Sequence, residues 1–263
     1  MEIEHELGEL TGSIQVRWNQ VLSPVVFVLM NEQDLVTVAQ KSEIKGFKNM
    51  LDIFPISDVL AEHMPPDFLK SHIPEQATKK IVSLTETVLS SALVFGHAVL
   101  EDVIMQTLAL CHKVKPEYFY EVAGDKSIKI KDVRSGNFQS VLDAKVAEWF
   151  KATERDTLLA KMRVLFACLK PNTNEVLKDY FYDEARLIVI DKLRHEVVHK
   201  KPSRAVTYND LQYLRRTTIY AAGLLQMSVG VSLKSILDAM HIPYDKPDIV
   251  VGGPRDTDLP TSK

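Results

Sequence analysis

Apolar residues recur at every third or fourth position along most of this chain, clean two-residue alternation is rare, and glycine occurs only 10 times in 263 residues. A period near 3.6 belongs to helices that bury one face, so the chain is expected to be mainly helical, an all-α fold. No internal repeat or low-complexity tract interrupts the pattern. With 46% apolar and 25% charged residues, the composition is that of an ordinary globular protein, neither disordered nor membranous. A formal net charge of -3 gives no global attraction to nucleic acid or anionic lipid, so any such attraction has to be local. Cys111 and Cys168 each lie in an apolar stretch, LALCHK and LFACLK. One far-apart pair is not a disulfide framework, and buried free thiols in a reducing compartment are expected.

Along the chain, residues 1–73 are the least legible. SPVVFVLM fits a short strand or a buried helix, NEQDLVTVAQKSEIKGFKNML fits an amphipathic helix, and Pro55, Pro65, Pro66 and Pro74 punctuate the stretch after it. This part is expected to be a mostly helical extension or small subdomain. Pro74 and Glu75 make a good helix start, and the segment from there to about Lys113 reads as one long helix or two in line. The connector EVAGDKSIKIKDVRSGN contains an alternation that suits a short hairpin arm. Helices come next at about 138–150 and 154–169, the second with Thr153 as its cap and acids in its first turn. A further helix is expected from about Glu175 to Lys200, stopped by Pro202. Thr207 to Asp210 resembles a capping box for a last long helix through about Met227, with a shorter helix from Ser232 to Met240. The implied division is an extension over 1–73, a helical domain over 74–240 and a loose tail rich in Pro, Gly and Asp over 241–263. The acidic, polar start MEIEHELGEL is unlike a secretory signal, and apolar runs such as PVVFVLM and SALVFGHAVL fall short of the roughly 20 residues that span a bilayer. A cytoplasmic protein without a membrane partner is therefore expected.

The stretch LRHEVVHKKP, Leu193 to Pro202, contains two overlapping motifs. H-E-x-x-H places His195 and His199 on one face of a helix with Glu196 between them, the pattern of a zinc peptidase. Catalytic zinc needs a third protein ligand, and Glu196 is the last glutamate of the sequence. Six residues beyond His199 stands Ala205, and Lys200, Lys201 and Pro202 put two cations and a helix stop beside the would-be ion. The zinc reading is accordingly the weaker one, and neither a metal nor any other cofactor is expected. His97 and Glu101, also four apart, read more simply as a polar pair on a buried helix. Glu196, with Lys192 and Lys200 four residues to either side, reads as a solvated surface charge.

On a helical wheel at about 100° per residue, Leu187, Ile190, Leu193, Val197 and Val198 form a broad apolar stripe with Arg194 inside it. An unpaired guanidinium in a dry core is costly, so Arg194 must meet an acid such as Glu101 or Asp102, line a polar cleft, or face a partner. His199 lies in the last turn, where the helix dipole favours its charged form and the two lysines oppose it; its ring suits acid or base work near neutral pH. Between Arg186 and Arg216, eight cations (Arg186, Lys192, Arg194, Lys200, Lys201, Arg204, Arg215, Arg216) face three acids (Asp191, Glu196, Asp210). That is a basic patch in an acidic chain, as contact with a phosphate backbone requires.

Arg194, His195 and His199, with a helix break directly after them, resemble the R-x(4–6)-H motif of the HEPN superfamily, whose ribonuclease members often carry Asn, Asp or His directly after the arginine. ALVFGHAVLEDVIMQTL is similar to that family's long first helix, YDEARLIVIDKLRHEVVHKKP to its motif helix and NDLQYLRRTTIYAAGLLQMS to its closing helix, so the resemblance covers about residues 76–228. It implies an HEPN-like helical bundle with an N-terminal helical extension, acting as a metal-independent endoribonuclease. Arg194 would hold the scissile phosphate, His199 would act as base or acid on the ribose 2'-hydroxyl, and His195 would orient the site, with Glu101 in support and Lys200, Lys201 and Arg204 on the RNA. It further implies a homodimer through the motif helix and, for a toxin or defence effector, a neutralising partner protein. Members that accept a transferred nucleotide place a tyrosine two residues beyond the histidine, where this chain has Lys201, so that regulation is not implied. The competing expectation is an inactive HEPN-like interaction or RNA-binding module in which Arg194 forms a structural ion pair.

Overall fold

The computed structural model describes residues 2–53, 71–114, 116, 119–120, 138–169, 181–200 and 202–228. Among them are seven helices and no strand: α1 (Glu2–Met30), α2 (Glu32–Ile53), α3 (Ile73–Val114), α4 (Phe138–Thr153), α5 (Leu158–Leu169), α6 (Glu184–His199) and α7 (Tyr208–Ser228). The fold is all-α. The expected hairpin arm, the helix at 232–240, the tail and residues 175–180 lie outside the described residues.

Several elements differ from the sequence expectation in ways the local chemistry explains. SPVVFVLM takes the helical one of its two expected forms, not as a separate element but as the end of α1, which carries Pro24 inside it. α1 gives way to α2 at Asn31 with a bend of 67°. There the Asn31 amide N–H (3.1 Å) and side-chain Nδ2 (2.7 Å) both donate to the Phe27 carbonyl. α3 is a single helix of 42 residues. The cap of α5 is Thr157, whose hydroxyl accepts from the Ala160 amide at 3.2 Å, and not Thr153, which ends α4 and is buried. Glu154, Arg155 and Asp156 are consumed by the turn between the helices, so no acid stands in the first turn of α5. The motif helix starts at Glu184 and not at Glu175, because Asp183 takes extended dihedrals and its carboxylate accepts from the Ala185 and Arg186 amides. The capping box at the start of α7 is as the spacing predicts: the Asp210 amide donates to the Thr207 hydroxyl at 3.3 Å, and the Thr207 amide donates to the Asp210 carboxylate at 3.0 Å.

The chain forms two compact units, one of residues 1–19 and 93–263 and one of residues 20–92, so their boundaries fall inside α1 and α3. In the smaller unit Leu22, Val25 and Val28 of α1 and Ile73, Ala77, Ile81 and Leu89 of α3 are buried at helical spacing. An ion pair of Lys80 with Glu43 joins α3 to α2.

In the larger unit α7 is the innermost helix, with Leu211, Leu214 and every residue from Thr217 to Leu225 buried. A helix enclosed on all sides must satisfy its polar groups internally. Thr217 does so by donating to the carbonyls of Phe181 and Tyr213, and Thr218 by donating to that of Leu214. α5 packs on both α6 and α7. Phe166, Phe181, Tyr182 and Tyr220 form the aromatic seam there, with Phe181 and Tyr220 stacked at 5.7 Å. Phe119, Trp149 and Phe150 make a second aromatic cluster that holds α4. Cys111 and Cys168 are buried thiols that form no disulfide among the described residues, as expected.

α3 supplies Leu93, Leu100, Val103, Ile104 and Leu108 to this core. Its uncharged Ser, Thr and His residues join apolar runs that look short when read singly. An 18-residue window with mean hydropathy 1.6 results, and α3 is by length and composition long and apolar enough to cross a membrane. Trp18 of α1 lies on α3 where Gly96 has no side chain. A Cβ at Gly96 would stand 2.7 Å from Trp18 Cη2 and 3.6 Å from Leu214 Cδ1. Trp18 is buried and its ring has no room to retreat, so Gly96→Ala should lower stability by about 1–3 kcal/mol, measured as the shift in urea midpoint.

Candidate functional site

α6 is fixed at its start by α7. The Tyr213 hydroxyl donates to the Asp183 carbonyl at 2.7 Å and accepts from the Asp183 amide at 3.0 Å. Arg186 donates to the Asn209 carbonyl at 3.0 Å and lies over the Tyr213 ring at 4.7 Å. Burial pushes the Tyr213 phenol up, so it stays a neutral hydroxyl that can both donate and accept.

Beyond that anchor the buried stripe of α6 is narrower than the wheel suggests. Leu187, Ile190 and Leu193 are buried and Val197 half-buried, but Val198 is 45% exposed, and Ile188 and Val189 also face outward. Arg194, at about 340° when Leu187 is at 0° and Ile190 at 300°, still falls within the narrowed stripe and is itself half-buried. Its Nε is buried without a hydrogen-bond partner, and the side chain forms no ion pair among the described residues. Neither expected acid reaches it. Glu101 is paired with Lys161, and Asp102 accepts from Arg17 at 2.6 Å.

Asp191, one turn before Arg194, is engaged elsewhere. The Nε2–H of His97 on α3 donates to its carboxylate at 2.8 Å. That bond, ahead of the nearby charges of Arg194 and His195, holds the Asp191 carboxyl below the usual range despite partial burial. His97 is itself buried, with Nδ1 4.0 Å from Glu101, which accepts from the fully buried Lys161 of α5. Lys161 also donates to the Glu154 carbonyl at 2.8 Å. One chain of polar groups, Lys161, Glu101, His97 and Asp191, thus runs from α5 through α3 to α6.

On the outer face of α6 the rings of His195 and His199 are both exposed and lie 4.8 Å apart, tilted by 48°. Among the described residues no group of three or more His, Cys, Asp or Glu could hold a metal ion. Glu196 is not the solvated charge its lysine neighbours suggest. Its carboxylate accepts from the Ser203 amide at 2.7 Å and is held below its usual range by that contact, while Lys192 stays 3.9 Å away. The Lys200 amide donates to the Glu196 carbonyl at 2.8 Å, so Glu196 folds the turn after the helix back upon it. Lys200 is exposed in extended backbone beyond the last turn, and Lys201 lies outside the described residues.

Arg204 is already engaged. Its guanidinium meets the Asp210 carboxylate through two bonds, 2.7 and 3.0 Å, and donates to the Ala205 carbonyl. Burial pushes the Asp210 carboxyl up, but Arg204 and the Thr207 amide and hydroxyl outweigh it and hold the group below the usual range. Of the residues singled out from sequence, Arg194, His195, His199 and Lys200 are thus available on or just beyond α6, Glu101 is paired with Lys161 beside His97, and Arg204 braces the start of α7. Asp191, His97 and Lys161 were missed as a set. The signal was present, since Asp191 stands three and four residues before Arg194 and His195, and Lys161 interrupts the apolar run LLAKMRVLFACL.

Comparison with protein-family profiles, with curated proteins and with solved structures finds no match.

Removing Lys161 leaves Glu101 without its cation beside the buried His97. Lys161→Met should cost about 2–4 kcal/mol, and Lys161→Met with Glu101→Leu clearly less than the sum of the two single changes, as a double-mutant cycle in urea would read. Asp210, with its folded pKa lowered, adds stability that is complete above the ordinary carboxylate range and lost as pH falls through the lower folded value. Asp210→Asn should therefore lower Tm most at neutral pH and progressively less below about pH 4.

Proposed function

We propose that this protein is a metal-independent endoribonuclease of the HEPN type. The observation that carries the reading is Arg194: a half-buried guanidinium on the apolar stripe, with no ion pair among the described residues and an unmatched Nε, one helical step from an exposed histidine pair. An arginine so placed, with charge to spare and no acceptor, suits an oxyanion, and a phosphodiester supplies one. In this reading Arg194 binds the scissile phosphate and offsets the charge that grows on it. His199 takes the proton of the ribose 2'-hydroxyl, the 2'-oxygen attacks phosphorus, and the 5'-oxygen leaves with a proton from a second acid, giving a 2',3'-cyclic phosphate. His195, ring to ring with His199, orients it or supplies that acid, and Lys200 and Lys201 contact the backbone on either side.

Five residues of helix turn Arg194 and His199 about 140° apart around α6. A single chain therefore presents them on different sides of the helix, which supports a site completed by the same helix of a second copy. Ile188 and Val198, exposed on α6, give that contact its apolar part. A toxin or defence effector that is held in check by a neutralising protein is the biological setting proposed for such an activity. The rival module, in which Arg194 serves a structural ion pair, has less support because Glu101 and Asp102 are both paired with other cations.

Cleavage of single-stranded RNA should persist in EDTA, leave cyclic-phosphate ends, and fall at least about 100-fold in Arg194→Ala and in His199→Ala. Absence of cleavage in the dimeric protein, or activity lost with EDTA along with stoichiometric zinc that disappears in His195→Ala, overturns the proposal.

A further inference from the structure

We propose that His97 is a positioning residue that keeps Arg194 open to an anion by holding the carboxylate that would otherwise occupy it, that of Asp191. On a helix, residues three apart are surface neighbours, so Asp191 is the natural internal partner of Arg194. The two feel each other's charge, yet no ion pair forms between them. The Asp191 carboxylate is instead turned to the Nε2–H of His97 at 2.8 Å. His97 is placed to win that competition. It is only 5% exposed, it projects from the core helix α3, and Glu101 stands behind its other nitrogen, itself fixed by the fully buried Lys161.

Arg194 is left with a buried Nε–H that has no acceptor. A donor in that state draws in the nearest oxyanion. Without His97 that oxyanion is Asp191, present at the high effective concentration of a group on the same helix, and the site closes on itself. With His97 it is an external phosphate. The polar chain behind α6 thus acts as a restraint on an internal competitor and takes no part in bond making.

This inference rests on the reading of Arg194 as an anion site, and the test separates the two. Full-length protein labelled with 15N at arginine is titrated with inorganic phosphate, and the Nε–Hε signal of Arg194, assigned by its loss in Arg194→Ala, reports binding. Wild type should show a saturable shift of that signal. His97→Leu should bind phosphate about tenfold more weakly, with the signal displaced before any phosphate is added. His97→Leu with Asp191→Asn should recover affinity to within about twofold of Asp191→Asn alone, because the competitor is gone; a histidine that only supports the fold would not be rescued by a second change on α6. His97→Gln, which can still donate to Asp191, should lie near wild type. Asp191→Asn alone, on a partly exposed side chain, should bind at least as tightly as wild type, and that arm decides the matter if His97→Leu does not fold.

Unchanged affinity in folded His97→Leu, no rescue in the double variant, or weaker binding in Asp191→Asn overturns the role of His97 while leaving Arg194 as the anion site. A wild-type Arg194 signal that ignores phosphate overturns the anion site and this inference with it.

Discussion

A fully buried ammonium governs the larger unit of this protein. Lys161 has no solvent contact, so its charge must be met inside, and Glu101 and the Glu154 carbonyl meet it. Apolar burial along α3, α5 and α6 is extensive but tolerant of sliding, because burial has no direction. The chain from Lys161 through Glu101 and His97 to Asp191 does have direction. A shift of α5 by one turn would part Lys161 from Glu101, and a rotation of α6 would part Asp191 from His97. The polar chain therefore selects one register among several that the apolar faces would accept, and that register leaves Arg194 half-buried on the stripe and the two histidines outward.

The cost of such a chain falls unevenly. Glu101 and Asp191 each keep part of their carboxylate exposed, at 37% and 35% of the side chain, whereas Lys161 and His97 are almost wholly enclosed. Water can thus solvate the two anions while the cation and the imidazole depend on the protein alone. Deleting an enclosed member does less harm than deleting an exposed one, since the partner left behind at the surface can rehydrate and the partner left behind inside cannot.

Much of the fold was legible in the sequence wherever a local rule decided the structure. The helical period announced an all-α chain, and Thr207 to Asp210 announced the start of α7, because a capping box is complete within four residues. Thr153 and Glu175 misled for the same local reason. Thr157 and Asp183 are equally good caps, and the choice between candidates was made by the turn at 154–156 and by Tyr213 reaching Asp183 from thirty residues away. Arg194 stood out as a charge beside an apolar stripe, but its lack of a partner could not be read, since it depends on where His97 directs Asp191 across a separation of 94 residues. Glu196 shows the opposite failure. Two lysines at helical spacing made it look solvated, and the amide that claims it, Ser203, lies beyond a helix end whose path no periodicity describes.

The same distinction changes what the basic patch around the motif means. Counted in sequence it is eight cations against three acids, a plain electrostatic footprint. In the fold, Arg204 is spent on Asp210 and Arg186 on Tyr213 and the Asn209 carbonyl, while Arg215 and Arg216 are half-buried along α7. Asp210 is neutralised inside the protein by Arg204, and Asp191 is screened by His97, so the acids lose their reach as well. Among the described residues, what remains beside the exposed Lys192, which lies 3.9 Å from Glu196, is a short row at one end of α6: Arg194 without an ion pair, the paired rings of His195 and His199, and Lys200 in extended backbone just past the helix end. In the proposed reading as a ribonuclease, a concentrated row of this kind, rather than a broad basic face, would favour recognition of one phosphate in a fixed position over loose attachment along many.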